Sequence, residues 1–206
     1  MHYLEELLHP KSIAIVGASA SPTAKGYDYL KGMMEFGFPG NLYPVNHKET
    51  EMLGLKSFPS VKVISGTIDY VISCIPAEAT LQLVEDYASK KAKVLQLYTA
   101  SFSKTREEEG KRLEKELVQR TRRNGMRIIG PNCIGVHYTK GRLAFARIKF
   151  SQKSGAVGCL AQSGGHAWTL VSQGSLRSIR RISMLRGICV IARAFSYEKA
   201  ELMLGA

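Results

Sequence analysis

No apolar run in the 206 residues reaches the roughly 18 needed to cross a bilayer, which argues against a membrane helix. The opening residues MHYLEELLHPKS carry acids and a proline where a secretory leader has a charged patch and then an apolar stretch, so the expected compartment is the cytoplasm. Cysteine is sparse. Cys74, Cys133, Cys159 and Cys189 lie far apart, mostly among Ile, Val and Leu, and no CxxC pair occurs. That spacing favours buried reduced thiols over metal ligands or disulfides. No internal repeat or low-complexity tract is present, and the sequence holds no complete G-x-G-x-x-G and no G-x-x-x-x-G-K-[ST].

What the chain does have is apolar content, 45% of its residues, enough for a buried core and against disorder. It also has a formal charge of +12, which raises the question of a polyanionic partner. Two stretches hold most of that excess: nine Lys/Arg against five Glu between Lys104 and Arg127, and six against two after Ser175. The first reads as a solvated helix face, with Glu107 to Lys111, Glu108 to Arg112 and Glu116 to Arg120 at i,i+4 and the acid first. Without interleaved aromatics, an RNA-binding signature or a basic arm, nucleic acid is disfavoured as a partner.

Strands and helices alternate along the chain. Ser12–Ser19 reads as a strand, Lys25–Phe36 as a helix stopped by Gly37, and Asn41–Asn46 as a second strand that Pro44 assigns to an edge or a strand end. Asp69–Ile75 is the third strand. Pro76 opens a helix with Leu81, Val84, Tyr87 and Ala88 on one face, and Ala92–Ala100 is the fourth strand. Thr105 and Glu108 form a capping box for the charged helix, Asn124-Gly125 closes it, and Arg127–Gly130 is the fifth strand. This order predicts a Rossmann-like α/β domain: a parallel sheet with helices on both faces and its ligand at the carboxyl ends of the strands. Those ends are GASAS, PVNHK, SCIPAE, YTASFS and GPNCIG.

Val136 to Lys153 reads as a basic, irregular connector. Ser154–Gln162 starts a new strand, followed by Ser163-Gly164-Gly165 and a short helix at Ala167–Val171. A second α/β domain is therefore expected to begin near residue 150, incomplete because the sequence after Gln173 mixes Arg with apolar residues at neither period. The expected boundaries are 1–140 and 150–206.

The turn after the first strand is the most informative segment. Gly17 fits the first glycine of a dinucleotide fingerprint, but Ser19 and Pro22 stand where the second and third belong. The next strand ends in Asn46-His47-Lys48 with no acid for a ribose, so NAD is disfavoured. A helix start remains, with free amides and a positive dipole end, the hydroxyls of Ser19, Ser21 and Thr23, and the charge of Lys25. A serine-rich helix cap would use the same residues, and an NAD(P)-dependent oxidoreductase on a similar sheet is the competing enzyme class.

Six stretches in order, LLHPKSIAIVGASASPTAKGYDYL, GFPGNLYPVN, YVISCIPAEAT, YTASFSK, RIIGPNCIGV and GAVGCLAQSGG, resemble the alpha part of nucleoside-diphosphate-forming acyl-CoA synthetases, the family of succinyl-CoA synthetase. The resemblance covers roughly residues 4 to 173. It implies a CoA-binding domain followed by part of a flavodoxin-like ligase domain, with coenzyme A or an acyl-CoA as ligand. Gly17, Ala18, Ser19 and Pro22 would hold the CoA phosphates, with Lys25 and Gly26 nearby. Asn46 and Lys48 would meet the adenosine 3′-phosphate end. Cys74, Ile75, Pro76 and Ala77 with Thr99, Ala100, Ser101 and Phe102 would line the pantetheine arm, and Asn132 and Cys133 would sit beside the reacting end.

The resemblance also implies a reaction, acyl-CoA with NDP and phosphate giving acid, CoA and NTP through a phosphorylated histidine. Ser163, Gly164 and Gly165 look like one of the helix starts that stabilise such a phosphate. The late histidine segment and the ATP-grasp domain do not occur in this sequence, and His166 lies within the helix-start motif itself. His2, His9, His47 and His137 do not stand where the family's phosphorylated histidine is expected and are expected on the surface or in loops. The implied function is a CoA-binding module incomplete for phosphoryl transfer alone, with no catalytic residue of its own. The alternative is a catalytic alpha subunit activated by an ATP-grasp beta subunit. A second copy of the chain is the other partner the resemblance allows.

Overall fold

The computed structural model describes residues 7–99, 108–145, 147, 159–161, 163–169 and 189–191. Strand β1 (Ser12–Val16) is buried along its whole length, the position its apolar run requires of a central strand. Helix α1 (Lys25–Phe36) follows and ends at Gly37, whose φ of 77° lets its N–H reach the carbonyls of Met33 and Met34. Strand β2 (Asn41–Val45) pairs in parallel with β1 and lies at the sheet edge. Pro44 has no N–H to donate there, and its carbonyl accepts from Phe58 at 2.9 Å, so the edge assignment made from the proline is met.

Beyond β2 the chain makes a small hairpin, β3 (Glu51–Met52) and β4 (Leu55–Lys56), turning through Leu53 and Gly54 at positive φ, and then one 3-10 turn at Val61–Val63. Strand β5 (Tyr70–Ser73) leads into α2 (Ala77–Gln82) and α3 (Val84–Ser89). The single helix expected after Pro76 is thus two, broken at Leu83, whose ψ of 0° is not helical. Strand β6 (Val94–Leu97), helix α4 (Glu108–Arg123) and strand β7 (Arg127–Ile129) complete the unit, with Gly125 at φ 69° closing α4. On α4, Glu116 pairs with Arg120 as expected, but Glu108 pairs with Lys111 at 2.7 Å instead of Arg112, which forms an ion pair with Glu109 at 3.6 Å.

The parallel sheet has the order β2-β1-β5-β6-β7, a doubly wound arrangement that reverses direction between β1 and β5. Alternate side chains of β1 serve two cores. Ile13 and Ile15 pack with Tyr29, Leu30 and Phe36 of α1, while Ala14 and Val16 pack with Val71, Val84, Tyr87, Leu113 and Leu117. Burying each Leu or Ile in such a core contributes about 1.5–3 kcal/mol, so both faces of the sheet must stay covered. The amino end is tied by Asp69, whose carboxylate accepts from the N–H groups of Lys11 at 2.7 Å and Ser12 at 3.2 Å.

Residues after 134 differ from the irregular connector expected there. Strand β8 (Gly135–His137) is followed by a turn in which Tyr138 bridges to Leu143, and Val136, Leu143, Ala144 and Phe145 join the α1-side core. His137, expected on the surface, is buried between the rings of Phe36 and Phe145. Its loss of water pulls the imidazole pKa down to about 4. Strand β10 (Cys189–Ile191) runs antiparallel to β8 and parallel to β9 (Cys159–Leu160), making a second sheet. Among the described residues no helix is long and apolar enough to cross a membrane.

Candidate functional site

Register brings one end of every parallel strand together. Val16 pairs with Val45 and with Ser73, and Ser73 pairs with Leu97, so the loops after β1, β2, β5 and β6 leave the same edge of the sheet. The turn after β7 joins them, since Asn132 N–H donates to Thr99 O at 2.9 Å and Cys133 N–H to Leu97 O at 3.1 Å. The break in strand order falls between the loop starting at Gly17 and the one starting at Cys74.

The loop after β1 is built on two glycines. Gly17 has φ 81°, and its N–H donates to Val45 O at 3.0 Å. A Cβ there would meet Ile75 Cγ2 at 2.9 Å and the Cys74 carbonyl carbon at 3.2 Å. At Gly26 a Cβ would stand 2.0 Å from Gly17 O and 2.8 Å from Ala18 Cα, backbone atoms that cannot yield. The close strand–helix approach that the third fingerprint glycine normally allows is therefore made by Gly26, four residues after Pro22. Fixed fingerprint spacing does not locate this glycine, because the longer loop carries it out of register.

No side chain caps α1, whose N-cap is Ala24. In its first turn the Tyr27 and Asp28 N–H groups donate to Ala24 O at 3.1 and 3.3 Å, which leaves the amides of Lys25 and Gly26 as those pointing out of the helix start. The hydroxyls that could cap it are occupied within the loop: Ser19 Oγ accepts from Ser21 N–H at 3.0 Å, and Ser21 Oγ and Thr23 Oγ1 lie 2.9 Å apart. Ala18 is fully buried, whereas Ser21, Pro22, Thr23 and Lys25 are exposed. Asn46 links two loops, its Nδ2 donating to Ala18 O and its Oδ1 accepting from Lys48 N–H, both at 2.8 Å. The exposed Lys48 thus leaves a fixed backbone beside the β1 loop.

On the far side of the reversal, Cys74 N–H donates to Val16 O at 2.8 Å, Pro76 is the N-cap of α2, and Ala77 is fully buried. Thr99 Oγ1 donates to Ile75 O, tying the β5 loop to the β6 loop. Burial pushes the Cys74 thiol up to about 12, with Lys25 opposing, so this thiol is neutral near pH 7. Cys133 is fully buried and its Sγ accepts from Gly135 N–H at 3.3 Å; it floors the turn. Asn132, at φ 56°, is half-buried above it. Ala100, Ser101 and Phe102 lie outside the described residues.

The second helix start adjoins this turn. Residues 164–169 are helical, beginning earlier than the expected Ala167, and a Cβ on Gly164 would lie 3.3 Å from Ile134 Cγ2. Ile134 O also accepts from Tyr29 Oη at 2.9 Å, and Ala167 is buried in the α1-side core. Ser163, Gly165 and His166 are exposed.

A doubly wound α/β sheet with a glycine-built helix start at its strand reversal defines a domain of the nucleotide-binding kind. Residues 11–139 match the family model described as CoA binding domain, and the chain belongs to that family, whose ligand is coenzyme A. It is 40% identical over 161 residues to the alpha subunit of ADP-forming acetate–CoA ligase II of Pyrococcus furiosus, covering 78% of this chain and 35% of that one. The alpha subunit of ligase I of the same organism is 36% identical over 185 residues, covering 85% and 40%. Among solved structures, a dinucleotide-forming acetyl-coenzyme A synthetase 1 of Ca. Korarchaeum cryptofilum, in complex with phosphate and ADP, superposes with a TM-score of 0.81 at 30% identity, covering 93% of this chain and 40% of that one. The chain thus spans 35% to 40% of the length of these two curated relatives.

Proposed function

We propose that this chain is the coenzyme A-binding module of an ADP- or NDP-forming acyl-CoA synthetase, dependent on other segments or subunits for phosphoryl transfer. The observation that carries the reading is the uncapped start of α1, held against β1 by Gly26 at the strand reversal. The residues present fit such a ligand: bare amides and Lys25 suit a diphosphate, and Lys48, fixed through Asn46, suits a phosphate further along.

In this proposal Gly17, Ala18, Ser19, Pro22, Lys25 and Gly26 surround the diphosphate, and Asn46 and Lys48 the adenosine 3′-phosphate. Ile75, Pro76, Ala77 and Thr99, with Ala100 and Ser101, border the pantetheine arm. Asn132 and Cys133 form the turn nearest the thiol, Cys133 from beneath. Ser163, Gly164 and Gly165 face a phosphate of the second half-reaction. The division into residues 1–140 and 150–206 belongs to the same proposal, with β8 handing the chain from one sheet to the other. So do an ATP-grasp partner and a cytoplasmic location.

Calorimetric titration with CoA, dephospho-CoA and NADH tests the reading. Saturable CoA binding, weakened without the 3′-phosphate and absent for NADH, is the expected result; tighter NADH binding defeats it. For the dependent-module part, incubation with ADP, phosphate and acetyl-CoA is expected to yield no ATP.

A further inference from the structure

Arg147 lies past the residues that match the family model, yet it reaches back to the proposed diphosphate site. Its Nε donates to Asp28 Oδ1 at 2.7 Å, and its guanidinium also donates to Pro22 O at 3.1 Å. The guanidinium carbon lies 4.9 Å from the centre of the Tyr27 ring, within cation–π range. One side chain thereby joins both flanks of the β1–α1 loop, the exposed Pro22 turn and the first turn of the helix.

The electrostatics give this bridge a purpose. Asp28 is the acidic residue in the first turn of α1, with only 17% of its side chain exposed, where a carboxylate suits the helix dipole but repels a phosphate docking at the same amides. Its second oxygen, Oδ2, is 3.2 Å from Lys25 Nζ. Lys25 also lies 5.9 Å from the Tyr98 ring centre, next to the β6 loop. With Asp28 bound only to Lys25, a ligand would have to break that pair to recruit the lysine and would leave a bare carboxylate beside its own charge. With Arg147 on the other oxygen, Lys25 can turn to the ligand while Asp28 stays neutralised.

We infer that Arg147 is a positioning residue for the proposed CoA site, holding the Pro22 turn against α1 and neutralising Asp28 so that Lys25 is available to the diphosphate. The inference rests on the CoA reading for its ligand, but the latch itself can be measured without one. Arg147→Met keeps the aliphatic stem on Tyr27 and removes the charge. In the full chain without ligand, amide exchange over residues 19–26 is expected to accelerate about fivefold in the variant, the worth of a good exposed pair, with the melting temperature unchanged. CoA affinity is expected to fall by a similar factor, and Asp28→Asn in the same chain is expected to restore it, because the repelling carboxylate is gone. A purely structural prop would not be rescued in that way.

Unchanged exchange together with unchanged affinity in Arg147→Met overturns the latch while leaving CoA binding intact. Lost affinity that Asp28→Asn does not restore overturns the neutralising role. Faster exchange in a protein whose wild type ignores CoA upholds the latch and defeats the ligand assignment, so the two failures are distinct.

Discussion

Two of the helix starts described in this chain, those at Gly26 and at Gly164-Gly165, carry glycine for different physical reasons. At Gly26 a side chain would collide with the backbone of Gly17 and Ala18, so packing alone demands glycine and joins α1 to β1. At Gly165 the nearest atom to an added Cβ is Ser163 Oγ at 3.8 Å, ordinary contact distance, and at Gly164 it is a methyl of Ile134 at 3.3 Å. Packing within the described residues explains Gly26, crowds Gly164 and leaves Gly165 unexplained. A glycine that packing requires reports on the fold, whereas one with room around it directs attention to ligands.

That contrast can be broken most forcefully at Gly26. Gly26→Ala is expected to cost about 3 kcal/mol or more, the overpacking limit for a site walled by backbone, and to abolish CoA binding. Gly165→Ala is expected to change stability by less than about 0.5 kcal/mol. Denaturant unfolding of the two variants side by side checks both. Equal losses would erase the distinction.

The next largest effect lies in the hand-over strand β8. His137 is held neutral with its pKa lowered to about 4, against about 6.5 when unfolded. Because protonation favours the unfolded chain, the native state loses stability as pH falls below about 6.5, and the loss levels off below about 4, at a total of about 3 kcal/mol for the full shift. His137→Phe is expected to flatten that part of the stability profile. An unaltered profile would mean that the imidazole is not held neutral by the aromatic sandwich. A smaller effect is expected at the exposed Lys48: Lys48→Met is expected to weaken CoA about fivefold and dephospho-CoA hardly at all, read by calorimetry.

Much of the parallel sheet is legible because its strands are buried on both faces and appear as apolar runs ended by Gly, Pro or Asn. Pro44 even marked the edge. The β3–β4 hairpin was missed because two-residue strands carry no periodicity and its Leu53-Gly54 turn is not a common hairpin pair. Strand β8 was read as part of a connector for the same reason of length, and His137 was misjudged because its partners Phe36 and Phe145 come from distant segments. At the site, Gly17 was readable from its place after an apolar strand. Gly26 was not identifiable as the packing glycine, since a longer loop moves it out of the fingerprint spacing. The Arg147 contact spans 119 residues and leaves no local trace. Coenzyme A itself came from the ordered set of motifs; helix-start chemistry alone fits any phosphate.

In the proposed complex the glycine-built start of α1 grips the diphosphate of coenzyme A. That contact is read out by titrating CoA into the full chain while recording backbone amide shifts. Saturable shifts centred on Gly17 to Gly26, extending to Lys48 and smaller there with dephospho-CoA, are the predicted result. Binding that leaves the amides of Gly17 to Gly26 unmoved would contradict it.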